Sequence, residues 1–371
     1  MTSISIKPDL VVALDFGGSY TKGFYASDRG LSFIGLEPEV VSLPRSAIEA
    51  YEANKLAGGK AEDEAWLGRA GEYYAVGSLA RRRFSANAGL SDLKAPRGVI
   101  KTLAVLGILQ QRLELTEGFR VALTVVLPPG EYADRTNFER ELRAAIAEWE
   151  TPTGRASAEL ADFNCKPEGA GVYMCYRNVA GESIYRQNLA AVMLGYRNTS
   201  TLVSERGIVT PGRTSDLGMQ AMIRAVMERT AGLNEPELVR AIATAGDAID
   251  PQPLWHAGRS RAAGRPEEIA RLVEVVRACR AEYVARLSSW LEEVLPSSFD
   301  ALLLSGGTGD YLRGELMQMY PHTPLIWHGN LEVPESLDPL GMGSRLADIY
   351  GIFQYYLSVW GKAFLSRTGV E

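Results

Sequence analysis

The sequence predicts an α/β protein built as two lobes of matching plan, and three observations carry that reading. An apolar run of buried-strand type, Val11-Val12-Ala13-Leu14, reaches Asp15-Phe16-Gly17-Gly18 and resumes as a β-rich segment at Gly23-Phe24-Tyr25-Ala26. A second glycine-ended hairpin, residues 189–194 followed by 199–205, repeats the pattern near the middle of the chain. Each hairpin is followed by helices and further strands of similar order, a duplication of architecture rather than of letters. The 371 residues suffice for two such lobes, each with its own core.

Residues 10–17, 20–26, 31–35 and 40–43 read as short strands separated by polar or glycine turns. Residues 51–64 are polar and rich in Gly and Ala, an expected exposed loop, and 66–77 read as another hairpin. Apolar residues recur at helical spacing over 99–106, giving a helix with a wide buried face. Residues 121–127 are continuously apolar and stopped by Pro128-Pro129-Gly130, as in a buried central strand. An amphipathic helix is expected over 134–149, with Asp134 as its cap. A strand over 156–166 follows, and Pro167-Glu168 is read as opening a helix over 169–176. After the second hairpin come expected helices at 216–229, 236–244 and 266–295. A strand at 299–304, a helix at 311–319, a strand at 323–327 and an aromatic-rich closing helix at 344–360 complete the chain.

Composition bounds the function. An apolar fraction of 46% with 23% charged residues is that of an ordinary globular protein. The formal net charge of -6 argues against direct, non-specific nucleic-acid binding. Arg81-Arg82-Arg83 is the local exception, read as a solvated turn with a partner-contact surface as the other reading. Three cysteines without a CxxC pair suit a reducing cytoplasm, and the three histidines lack metal-ligand spacing. Residues 1–9 carry no basic and apolar leader pattern, and no stretch is long and apolar enough to span a bilayer. The expected location is cytoplasmic.

The stretch Asp15–Lys22 has the chemistry of a phosphate clip. A Gly-Gly turn between strands lets backbone N–H groups approach a phosphate chain without a Cβ in the way. Asp15 can hold a metal-bound water and Lys22 can reach phosphate oxygens. Taken alone, the stretch fits an ordinary tight hairpin equally well.

Further blocks in order resemble the actin superfamily, most closely the ParM-like bacterial actins. Asp15–Lys22 resembles that family's first phosphate loop, and Leu127-Pro128 with Glu131-Tyr132-Ala133-Asp134-Arg135 resembles its "LP…Y.DR" segment. Pro167-Glu168-Gly169-Ala170-Gly171 resembles the segment that supplies a water-orienting carboxylate or amide. Leu194-Gly195-Tyr196-Arg197-Asn198-Thr199 resembles the second phosphate loop. Leu304-Ser305-Gly306-Gly307-Thr308 with Tyr311-Leu312-Arg313 resembles the adenosine loop, and Ala347–Gly351 falls where the family has its connecting helix.

The resemblance implies an actin-like fold of duplicated ribonuclease H-like β/α domains, with a nucleotide cleft between lobe I (1–186 and 344–371) and lobe II (187–343). It implies Glu168 and Asp15 as catalytic residues, Asp15 acting on the metal through water. Implied nucleotide contacts are Gly17, Gly18, Ser19, Tyr20, Lys22, Gly195, Tyr196, Arg197, Asn198, Gly306, Gly307 and Thr308, with Arg197 at phosphate or at the lobe interface. The implied cofactors are ATP or GTP with Mg²⁺, and the implied activity is an ATPase or GTPase coupled to polymerisation. Implied partners are further copies of the chain and a small DNA-binding adaptor of ParR type.

Two departures matter. Where the family usually carries an aspartate before the second loop's glycine, this chain has Met193, and a later acidic position is Ser200. Mg²⁺ prefers hard oxygen ligands, so the change weakens metal placement. Two functions follow from the resemblance: a dynamic segregation motor, or a cytoskeletal scaffold with slow or absent hydrolysis, which Met193 favours. A sugar kinase or chaperone of the same superfamily is disfavoured, because the chain lacks room for a peptide-binding domain and a sugar-site signature.

Overall fold

A computed structural model describes residues 7–89, 92–258 and 264–368, which divide into two compact units, one of the described residues up to Tyr176 and from Leu331 onward, the other of those within Arg177–Asn330. Residues 1–6, part of the segment read for a leader, lie outside the described residues.

The first unit is organised by a five-stranded sheet in the order Ala158–Pro167, Phe119–Leu127, Leu10–Phe16, Thr21–Ser27, Gly30–Leu36. The first three strands run parallel, and the last two are added antiparallel as a meander. One face, including Leu10, Val12 and Leu14, buries against the helix Lys94–Leu113. The other, including Val11, Ala13 and Phe24, buries against Ile349, Ile352 and Phe353 of the last helix, Ala347–Thr368. Burial on both faces explains why Val11–Leu14 and Val121–Leu127 read as continuous apolar runs rather than alternating ones. A separate antiparallel sheet orders Val40–Leu43, Glu72–Val76, Trp66–Arg69, Trp149–Thr151 and Gly154–Ala156.

The second unit repeats the main sheet. Its order is Ile208–Ser215, Thr199–Glu205, Asn188–Leu194, Ala301–Ser305, Leu325–Trp327, again three parallel strands plus an antiparallel pair. Its core is closed by Met219–Arg229, Glu235–Ala245 and the 30-residue helix Arg265–Val294. The duplication expected from the two hairpins is therefore present strand for strand.

Some elements depart from the expectation for local reasons. The segment before residue 54 forms a helix, Arg45–Ala53, where the loop was expected to begin at 51. The helix expected to reach 149 ends at Ala145, because Trp149 is fully buried as the first residue of a strand. Pro167 closes a strand instead of opening a helix; Gly169, at φ +90°, makes the turn and the helix starts at Ala170. The strand Ile208–Ser215 was hidden by its internal Pro211-Gly212. The helix expected over 311–319 is two, Gly307–Tyr311 and Arg313–Met319.

Candidate functional site

Both glycine turns follow the carboxyl ends of parallel strands, the edge at which open α/β sheets present ligand-binding groups. In the first unit Asp15 stands in register with Val126, and Pro167 with Leu127. Asp15 and Glu168 thus share one sheet edge, two strand spacings or about 10 Å apart.

The first turn is tightly closed. A Cβ on Gly17 would lie 2.5 Å from the Tyr20 carbonyl oxygen, so only glycine fits there. Asp15 Oδ2 lies 3.2 Å from Lys22 Nζ, which also donates to the Arg345 carbonyl at 2.5 Å. Arg345 in turn donates through Nη2 to Ser19 Oγ at 3.1 Å. Asp15, Ser19 and Lys22 are therefore held together by the segment Gly343–Leu346, which motif reading did not include. The other oxygen of Asp15, Oδ1, is buried without a hydrogen-bond partner. The Tyr20 ring packs over Gly35, and burial followed by the nearby Glu37 raises its phenol, so its side chain serves packing.

Glu168 is buried and its Oε1 makes a close ion pair with Lys94 Nζ at the start of the long helix. The backbone N–H groups of Lys94 and Ala95 donate to Glu131 Oε2 at 2.6 and 3.1 Å, which caps that helix. Glu131 of the "LP…Y.DR" segment therefore has a structural role here. Immediately after Glu168, the fully buried Asp348 accepts from the N–H groups of Gly169, Gly171 and Val172 at 3.0, 2.8 and 3.1 Å.

In the second unit the turn and the glycine loop come together. The Gly195 N–H donates to the Asn198 carbonyl at 3.0 Å, and Thr308 Oγ1 donates to the Gly195 carbonyl at 2.8 Å. Gly306, at φ +99°, approaches so closely that a Cβ would lie 2.3 Å from the Leu194 carbonyl oxygen. His328 brackets this loop, with Nδ1 3.1 Å from Ser305 Oγ and Nε2 2.9 Å from Asp310 Oδ1. Tyr196 points its hydroxyl to Glu235 at 2.6 Å; burial and that carboxylate raise its phenol. Met193 stands opposite Ser200 and Ser305 in the sheet register.

The two residue sets thus form two local clusters, one per unit. Among the described residues no group of three or more His, Cys, Asp or Glu side chains is placed to hold a metal ion. Among those residues, too, no helix is long and apolar enough to cross a membrane. Sequence reading missed Lys94, Arg345 and His328, and it included Asp348 only in the connecting-helix block without a role; their partners are distant in the chain.

No protein-family model matches the sequence, and no curated protein matches it. Solved structures do match. A 15-stranded ParM filament from Clostridium botulinum superposes with a TM-score of 0.62 at 14% identity, over 95% of this chain and 99% of that one. The fold is that of the actin-like proteins. An archaeal actin homolog, Ta0583, gives a TM-score of 0.60 at 14% identity, covering 93% and 98% of the two chains. Bacillus thuringiensis ParM with AMPPNP gives 0.59 at 13% identity, covering 95% and 99%. The expected actin-like α/β fold is borne out by these similarities and by the repeated sheet topology.

Proposed function

We propose that this chain is a nucleotide-dependent, filament-forming actin-like protein of ParM type. The supporting observation is the pairing of two identically ordered sheets, each with a glycine turn after its first parallel strand. Similar structures include a ParM filament and a ParM with AMPPNP. The residues of the first unit fit the phosphate end of a ligand. Gly17, Gly18, Ser19 and Tyr20 offer backbone N–H groups, Lys22 offers its ammonium, and the orphaned Asp15 Oδ1 is an acceptor suited to a metal-bound water. Glu168 is suited to accept a hydrogen bond from an attacking water. In the second unit Gly195, Tyr196, Arg197 and Asn198 are assigned to phosphate, and Gly306, Gly307 and Thr308 to the purine nucleoside. Bound ATP or GTP with Mg²⁺ supplies the electrophilic phosphate and the charge that offsets its oxygens.

In this reading the filament moves DNA copies apart through a small DNA-bound adaptor of ParR type. The net charge of -6 supports an adaptor over direct DNA contact. Sedimentation with Mg²⁺ and ATP, GTP or ADP, beside calorimetry of the same mixtures, tests the proposal. A nucleotide-dependent pellet is expected; absence of any purine nucleotide affinity would overturn it.

Met193 favours a second reading, a cytoskeletal scaffold of slow turnover, because neither it nor its strand neighbours Ser200 and Ser305 offers a carboxylate. Met193→Asp is expected to speed phosphate release about tenfold or more, by adding charge stabilisation at the metal. Unchanged release would refute the assignment of that position.

A further inference from the structure

The helix Lys94–Leu113 carries two lysines two turns apart on one buried face, Lys94 at 7% and Lys101 at 5% exposure. Lysine is almost never buried this far unless its charge is answered. Lys94 is held at both ends: its N–H on Glu131, its ammonium on Glu168. Lys101 feels the positive charges of Lys94 and Arg97, against the negative charges of Asp15 and Glu39. Lys94 and Lys101 thus repel one another, and Lys94, through its ion pair with Glu168, stands at the sheet edge that carries Asp15, whose Oδ1 has no donor. An added anion at that edge relieves the repulsion, and a lysine whose carboxylate partner sits on the same edge can change partners by rotating its long side chain.

Resting on the nucleotide reading above, we propose that Lys94 is a switchable phosphate ligand: it pairs with Glu168 until a nucleoside triphosphate arrives, then turns its ammonium to the terminal phosphate and frees Glu168 to receive a water. A diphosphate lacks the group that draws Lys94 away. The ion pair masks Glu168 in one state and exposes it in the other, which links phosphate occupancy to the availability of the hydrogen-bond acceptor. Nothing in the motif blocks assigns Lys94 this part.

The test is calorimetry on the full chain, with Mg²⁺ present, using a non-hydrolysable ATP analogue and ADP. Lys94→Gln is expected to weaken the triphosphate analogue about tenfold to a hundredfold, the value of one charge-assisted contact, while ADP changes less than about twofold. Lys94→Arg is expected to recover most of the triphosphate affinity. Because Lys94→Gln removes the counter-charge of a buried Glu168, the double variant Lys94→Gln with Glu168→Gln removes both charges and keeps the fold testable. The triphosphate loss is expected to persist in the double variant. Its recovery there, or an equal loss for ADP in either variant, would show that Lys94 only neutralises Glu168 and would overturn the exchange while leaving nucleotide binding intact. A wild-type chain that binds neither nucleotide would overturn both readings.

Discussion

Lys101→Met is expected to raise stability by about 2–3 kcal/mol near pH 7 and to remove a rise in stability that the wild type shows between about pH 7 and pH 10. Burial, then the neighbouring Lys94 and Arg97, push the Lys101 ammonium from the ordinary 10.5 down to about 7, with Asp15 and Glu39 opposing. The unfolded chain keeps this proton up to the ordinary lysine range, whereas the native chain gives it up near neutrality. Between those limits the unfolded state binds more protons, so stability climbs with pH; below them the full penalty is present. At 1.36 kcal/mol per unit the penalty is on the order of 4–5 kcal/mol, and the lost attraction to Asp15 and Glu39 reduces what methionine recovers. Methionine matches the length and flexibility of the lysine stem. Urea midpoints taken from pH 6 to pH 10 check both halves of the prediction. A flat wild-type profile, or a variant that unfolds earlier at pH 7, would refute it.

The same lysine shows where sequence reading stops. The apolar spacing over 99–106 identified the helix and its buried face, but Lys101 stands about 200° around the helix from Val99 and is buried all the same. Periodicity places a side chain on a face but does not say which charges face it. The hairpins were legible because their cause is local: two buried faces give continuous apolar strands, and a tight turn needs glycine. Gly17 and Gly306 were found for that reason, since each meets a carbonyl oxygen where a Cβ would stand. The role of Pro167 was not legible, because it is decided by a strand partner far away in the sequence, Leu127; the strand at Trp149 pairs close by with Ala156, in a short hairpin that the helical reading of 134–149 ran into. The glycine-turn residues of the site were readable, but the groups that hold them were not. Arg345 reaches Ser19 across 326 positions of sequence, and Asp348 reaches Gly171 across 177.

Asp348→Ala is expected to cost about 3–4 kcal/mol, the largest loss from any single side chain near this site, because it strands several buried donors at once. The helix Ala170–Ala180 begins two residues after Glu168, and its first N–H groups have no partner within the helix. Asp348 supplies one: Oδ1 serves Gly171 and Val172, and Oδ2 serves Gly169. The last helix comes close enough to do this only because the crossing is made of glycines. A Cβ on Gly171 would lie 1.9 Å from the Asp348 carbonyl oxygen, and one on Gly351 would lie 2.6 Å from that of Gly171. Burial pushes the Asp348 carboxyl from 3.8 up to about 6 while the backbone donors pull it down, so the native chain holds this proton longer than the unfolded one. Its contribution therefore declines as pH rises from about 4 to 6, and the variant should lose that slope. Asp348→Asn keeps one acceptor oxygen but turns an amide toward the remaining donors, so an intermediate loss is expected. Thermal and urea unfolding of both variants measure the order alanine, asparagine, wild type. Since Gly169 follows Glu168 directly, the alanine variant should also loosen the Lys94–Glu168 pair; a loss below about 1 kcal/mol would mean that the crossing glycines, not the carboxylate, hold this edge in place.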